Sequence, residues 1–183
     1  MIKEFSTRVK ATNNNAKITF FILLGVAAAL TATYIFIPVY KSIVGVVDMV
    51  AIVAAVAIYS KYVSASYFYD ITFDYHGEPL FVVRQVTGRR QTTLARVGLR
   101  EISEIKMETA EERKAHKTPQ GFRKYVYTPT LGPTLTCRLT AKSAYESSEV
   151  LIECTPEFAE MLSSYVEDAK VNDYSDYAED EDE

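Results

Sequence analysis

Ile18-Thr-Phe-Phe-Ile-Leu-Leu-Gly-Val-Ala-Ala-Ala-Leu-Thr-Ala-Thr-Tyr-Ile-Phe-Ile-Pro-Val-Tyr40 carries no charge. After Lys41 and Ser42 a second run follows, Ile43-Val-Gly-Val-Val-Asp-Met-Val-Ala-Ile-Val-Ala-Ala-Val-Ala-Ile-Tyr59, with Asp48 as its single charge. At ~1.5 Å of rise per residue, each run reaches across, or nearly across, a hydrocarbon core of ~30 Å. The Leu, Ile, Phe and Val side chains of the first run favour insertion by roughly 5 kcal/mol together, and those of the second by roughly 4. A central Asp opposes insertion by about 3 kcal/mol, so the second span depends on the short turn that ties it to the first. Two other readings share this pattern, a buried hairpin in a soluble core and a cleaved signal peptide. Uncharged runs of this length are rare in soluble cores, and a signal peptide has an apolar stretch of only ~7–15 residues with no second span behind it. The expectation is a multi-pass membrane protein with two spans, residues 18–63.

Lys and Arg in the flanks set the orientation. Lys3, Arg8, Lys10 and Lys17 precede the first run, and Lys61 follows the second, against Lys41 alone in the turn. Positive flanks stay inside, which predicts that both termini are cytoplasmic. Tyr34, Phe36 and Tyr40 would mark the outer interface, and Phe20, Phe21, Tyr59 and Tyr62 the inner one. Small residues recur at four-residue spacing, Gly25 with Ala29, Ala28 with Ala32, and Ala51 with Ala55. Such spacing lets helices approach closely, first to pack the two spans together, alternatively to form a homo-oligomer seam. Pro38 is expected to end the first span.

The chain has 183 residues and a formal charge of −4. Residues 173–183 hold 7 of the 24 acidic residues, which leaves 17 acids against 20 bases in the rest. Four segments follow: a basic N-terminal stretch (1–17) expected to be mobile, the hairpin (18–63), one small domain (66–169) and an acidic tail (170–183) too charged to pack. From Ser66 the pattern alternates. Tyr67, Tyr69, Ile71, Phe73 and Tyr75 take one face, the mark of a half-buried strand. Further strands are predicted over 80–86, 91–97, near Ile102, Ile105 and Met107, and over 122–127, 134–141 and 150–155. Residues 108–121 read as a long polar loop. Thr155 as N-cap, Pro156 in the first turn, and Phe158, Met161, Leu162, Tyr165 and Val166 on one stripe predict a C-terminal amphipathic helix.

Seven strands and then one helix is the order of a pleckstrin-homology-like barrel, with the helix plugging one open end. The chain resembles the bacterial membrane proteins in which a two-helix hairpin precedes a bacterial PH-like domain. The resemblance rests on Tyr69-Asp-Ile-Thr72, on Val97-Gly-Leu-Arg-Glu-Ile102 with Ile105, and on the closing strand and helix. It spans roughly residues 18–168. It implies a fold and an anchoring arrangement, and supplies no activity and no functional residue.

Chemistry-bearing motifs are sparse. His76 and His116 lie in predicted loops and are expected to be solvent-exposed. Cys137 and Cys154 alternate with apolar residues and read as small buried hydrophobes, reduced in a cytoplasmic domain. No phosphate-binding Gly-rich loop, nucleophile elbow or metal-ligand spacing is present in the sequence. The expectation is a non-enzyme without cofactor or metal. The domain is only mildly basic, so nucleic acid is not an expected partner. The first hairpin, 75–79, has no Lys or Arg, which argues against specific phosphoinositide recognition. Bases gather on Arg84, Arg89, Arg90, Arg96 and Arg100, and again on Arg113, Lys114, Lys117, Arg123 and Lys124. The first five are the expected membrane or partner-binding face. Two readings of function remain, a membrane-anchored interaction module for protein partners or the anionic membrane surface, and a small channel or transporter subunit using Asp48.

Overall fold

The computed structural model describes residues 2–36, 41–143 and 146–172. Helix α1 (Asn15–Phe36) and helix α2 (Lys41–Ile58) form an antiparallel pair, and α2 continues through a π turn (Tyr59–Val63). Both helices are long and apolar enough to cross a membrane. They take no part in the domain's core. Phe21, Phe36, Ile43 and Met49 are each more than 60% exposed. Within this chain these side chains are not covered, as those of a buried core hairpin would be. Pro38 and Tyr40, expected at the end of the first span, lie outside the described residues.

Only part of the expected small-residue seam packs the pair. Ala51 and Ala55 are buried, and their counterpart on α1 is Ala27. Gly25, Ala28, Ala29 and Ala32 are exposed, and a side chain at Gly25 would meet nothing within 4 Å. Helix α1 therefore turns its four-residue repeat away from α2.

The rest of the chain forms two four-stranded sheets and a closing helix. Sheet A runs β1 (Phe5–Val9), β2 (Ala65–Phe73), β3 (Pro79–Thr87) and β4 (Arg90–Gly98), all antiparallel. Sheet B has the order β5 (Ile102–Thr109), β7 (Leu135–Lys142), β8 (Ser147–Ile152) and β6 (Phe122–Tyr127), with β6 parallel to β8. The expected seven-stranded closed barrel is not found. Among the described residues eight strands form two open sheets, because the N-terminal stretch supplies an extra strand and β4 pairs only with β3.

That first strand corrects the expectation of a mobile N-terminus. Phe5 aligns with Ile71 and Val9 with Tyr67 across β1 and β2. Phe5 reaches the ring of Phe158 at 6.1 Å, and Val9 packs on the core. Residues 110–115 correct the expectation of a long loop. They form α3 (Ala110–Ala115), started by a reciprocal cap in which Thr109 and Glu112 satisfy each other's backbone N–H.

The core lies between the sheets. Tyr67, Tyr69, Ile71 and Phe81 from sheet A meet Leu139, Val150 and Ile152 from sheet B. Helix α4 (Pro156–Val171) adds Ala159, Leu162, Val166 and Ala169, its buried stripe. Thr155 caps it as expected, accepting from Phe158 N at 3.3 Å. At the other end Arg100 donates to the carbonyls of Ala169 and Asn172 at 2.9 and 2.7 Å. Burial pushes the Tyr67 phenol up to about 12 and Tyr69 higher still. The Tyr69 hydroxyl is satisfied by donating to Tyr127 O at 2.8 Å and accepting from Glu153 N at 3.1 Å.

Candidate functional site

Strand directions place one end of sheet A beside the helices. β2 begins directly after the π turn, so Ala65 marks that end. Its register partner is Thr87, whose own partner is Arg90. The β3–β4 turn, carrying Arg89 and Arg90, thus lies where α2 leaves the domain. β1 runs antiparallel to β2 and reaches the same end through Val9 and Lys10. Lys61 and Thr87 line one open groove there. The segments gathered at this end, 10–14, 59–64 and 87–90, hold Lys10, Lys61, Arg89 and Arg90 and contain no Asp or Glu.

Residues 128–133 join them through a hydrogen-bonded latch and are also free of acids. Thr12 N donates to Thr130 Oγ1 at 2.9 Å. The buried Glu153 carboxylate accepts from Thr12 Oγ1 at 2.7 Å, from Thr130 Oγ1 at 2.8 Å and from Thr130 N at 3.1 Å. The link into α1 is therefore fastened to sheet B three residues before the helix starts.

The five arginines expected to share a face are divided. Arg89 and Arg90 are exposed at the helix-exit turn. Arg84 lies on the outer face of sheet A, donating to both oxygens of the buried Asp70. This pairing raises the Arg84 guanidinium above its ordinary value, through the bond to Asp70 first. Arg96 stands exposed near it and lines the same outer groove. Arg100 is at the opposite end of the sheet, holding α4. Of the second basic group, Arg113 is engaged with Pro133 O at 3.0 Å, and Arg123 lies 3.5 Å from Glu146. Lys10 and Lys61 complete the helix-exit cluster. The sequence offered them as orientation signals, and strand pairing was needed to place them beside Arg89.

Asp48 faces α1. Its partner is Thr31, whose Oγ1 donates to Asp48 Oδ2 at 2.8 Å. Asp48 Oδ1 is buried with no hydrogen-bond partner among the described residues. Neither Tyr34 nor Lys41 hydrogen-bonds to Asp48. Tyr34 packs instead against Gly45, with Lys41 Nζ 5.7 Å from the ring centre.

His116 departs from its expected exposure. It leaves α3 and covers the outer face of sheet B, where Nε2 lies 2.8 Å from Glu149 Oε1. Thr118 Oγ1 donates to the other Glu149 oxygen at 2.9 Å. Arg138 reaches Glu108 and also contacts the His116 ring. Burial alone would raise the Glu149 carboxyl. The bonds from His116 and Thr118 and the nearby Arg138 charge outweigh it and hold Glu149 below the ordinary carboxylate range. This cluster fastens segment 110–121 to the sheet. Cys137 is buried and Cys154 partly so, both as free thiols. The Cys137 thiol is pushed up by its contact with Cys154 and by burial. Among the described residues no three His, Cys, Asp or Glu side chains converge as metal ligands.

No protein-family model, no curated protein and no solved structure matches the chain.

Proposed function

We propose that the chain is a two-span membrane protein with both termini in the cytoplasm, and that its hairpin anchors a non-catalytic interaction module. The module's partner surface is the anionic leaflet beneath it. The observation that carries this reading is the cluster of exposed bases, Lys10, Lys61, Arg89 and Arg90, at the point where the helices leave the domain, with the nearby Glu153 buried. A base held near an anionic leaflet gains about 1 kcal/mol. At that position the gain needs no movement of the domain, because the hairpin and the Thr12 latch already hold it there. The test uses the full chain in vesicles with and without phosphatidylglycerol. Amide exchange across 87–90 should be slower on the anionic vesicles, and the difference should shrink as the Debye length falls from ~10 Å at 0.1 M salt to ~3 Å at 1 M. Equal exchange on both vesicles would favour protein partners for this end.

The orientation has its own test. Single cysteines at Ser6 and Ser42, in a background lacking Cys137 and Cys154, should react with an impermeant thiol reagent on intact cells at Ser42 only. Labelling at Ser6 alone would invert the topology.

The channel or transporter reading keeps one observation in its favour, the unpartnered Asp48 Oδ1. Asp48→Asn retains the Thr31 bond and removes the charge. A transport role predicts a lost ion flux with unchanged assembly.

A further inference from the structure

The two sheets leave two strand edges open toward one cleft. β4 ends sheet A and β6 ends sheet B. Apart from the turn bond from Phe122 N to Pro119 O at 3.2 Å, no backbone–backbone hydrogen bond among the described residues engages the outer edge of either strand. The cleft between them measures about 400 Å³ and is lined by Leu94, Arg96 and Val97 on one side and Tyr125 and Tyr127 on the other. One side chain crosses it, with Tyr127 Oη donating to Leu94 O at 3.1 Å. A strand edge of this kind presents N–H and C=O groups that an extended segment can pair with.

Charge selects the segment. β4 carries Arg90 and Arg96, β6 carries Arg123 and Lys124, and neither strand contains Asp or Glu. The two acids on the rim are already engaged. Glu101 accepts from Gly98 N at 3.3 Å, and Glu146 accepts from Tyr125 Oη at 2.9 Å. Basic edges repel the same edge of a second copy and attract an acidic segment. This chain has one, residues 173–183, with seven acids and no base.

Its point of attachment fits. Asn172 is tied to Arg100, the neighbour of Glu101, and Glu101 lines one mouth of the cleft. Eleven extended residues span about 36 Å at ~3.3 Å each, more than the length of the nine-residue β4. We infer that residues 173–183 lie along the open edges of β4 and β6 as an acidic strand bridging the two sheets. Asp and Glu are poor strand formers, so charge carries the pairing and salt weakens it. The occupied edge is then closed to strands of other chains. The inference is independent of the membrane reading, because the cleft and the tail belong to the domain alone.

The experiment compares amide exchange in the full chain with a chain ending at Asn172, both in detergent at low salt. Removing the tail should raise exchange several-fold along β4 and β6 while leaving β2 and β7 unchanged. A peptide of residues 172–183, added to the shortened chain, should restore protection at low salt and lose that effect at 1 M. The same peptide with Asn and Gln for its acids should not restore it. A second variant, R96E/K124E, keeps the tail and should reproduce the rise. Unchanged exchange in β4 and β6 on truncation, or a rise confined to α4, would overturn the inference.

Discussion

The two ends of sheet A use charge in opposite ways. At the far end, Asp74 accepts the backbone N–H groups of His76 and Glu78 at 2.9 and 2.8 Å, Glu101 caps its own turn, and Arg100 closes α4. Each of these charges holds backbone in place. At the helix-exit end, Arg89 and Arg90 have no ion pair among the described residues, and no acid lies in the segments around them. Lys61 Nζ sits 5.2 Å from the Tyr62 ring, a contact that leaves the ammonium exposed at the base of α2. A charge used by the fold costs stability when removed. A charge left outside the fold costs little, and matters only to what the domain meets.

The largest expected effect comes from a buried charge paired with two carboxylates. Arg138→Met strands Glu108 and Glu149 in a buried site and should cost roughly 3–5 kcal/mol, read from denaturant unfolding of the full chain in detergent. Arg89→Gln with Arg90→Gln should stay within about 0.5 kcal/mol in the same measurement. Comparable losses from both would erase the distinction between the two kinds of charge.

Acid should act next, through Glu149. Its folded carboxyl titrates below its unfolded one. The stability it contributes is therefore present above the unfolded carboxylate pKa of ~4.3, and is lost as pH falls through the lower, folded value. Glu149→Gln removes this dependence, so the stability–pH slope on the acid side should become shallower. An unchanged slope would mean that the His116 and Thr118 bonds do not hold the carboxylate.

Arg100→Gln releases the carbonyls of Ala169 and Asn172 from a partly exposed site. A loss of about 1 kcal/mol is expected, with faster amide exchange confined to the last turn of α4. Exchange spread evenly along α4 would contradict a local role at the far end.

What the sequence revealed depended on period and length. The hairpin was legible because two apolar runs of that length, parted only by a short turn, read as a helix pair long enough to cross a membrane. β2 and α4 were legible from alternation and from the Thr155–Pro156 start. β1 was missed although Phe5, Thr7 and Val9 alternate with Ser6 and Arg8, because five polar-flanked residues read as a strand only once β2 is there to pair with them. α3 was missed although Thr109 and Glu112 carry the spacing of a reciprocal cap. The basic end could not be read at all from neighbours in sequence. Lys10, Lys61 and Arg89 are brought together by the register of three strands, while Arg84 and Arg100, close to Arg89 in the chain, are drawn off to Asp70 and to α4. His116 likewise finds Glu149 and Arg138 only through the folding of segment 110–121 back over sheet B.

The contrast between the two ends is tested most directly by their distance from the lipid. The full chain, with Cys137 and Cys154 replaced, would carry one fluorophore at Thr87→Cys or at His76→Cys, the turns at the two ends of sheet A. In vesicles containing phosphatidylglycerol and a headgroup-attached quencher, the label at position 87 should be strongly quenched and the label at 76 should not. Arg89→Gln and Arg90→Gln should each reduce quenching at 87, by about fivefold in the leaflet-bound population for a loss of ~1 kcal/mol per charge. Equal quenching at both turns, or stronger quenching at 76, would contradict the assignment of the helix-exit end to the membrane surface.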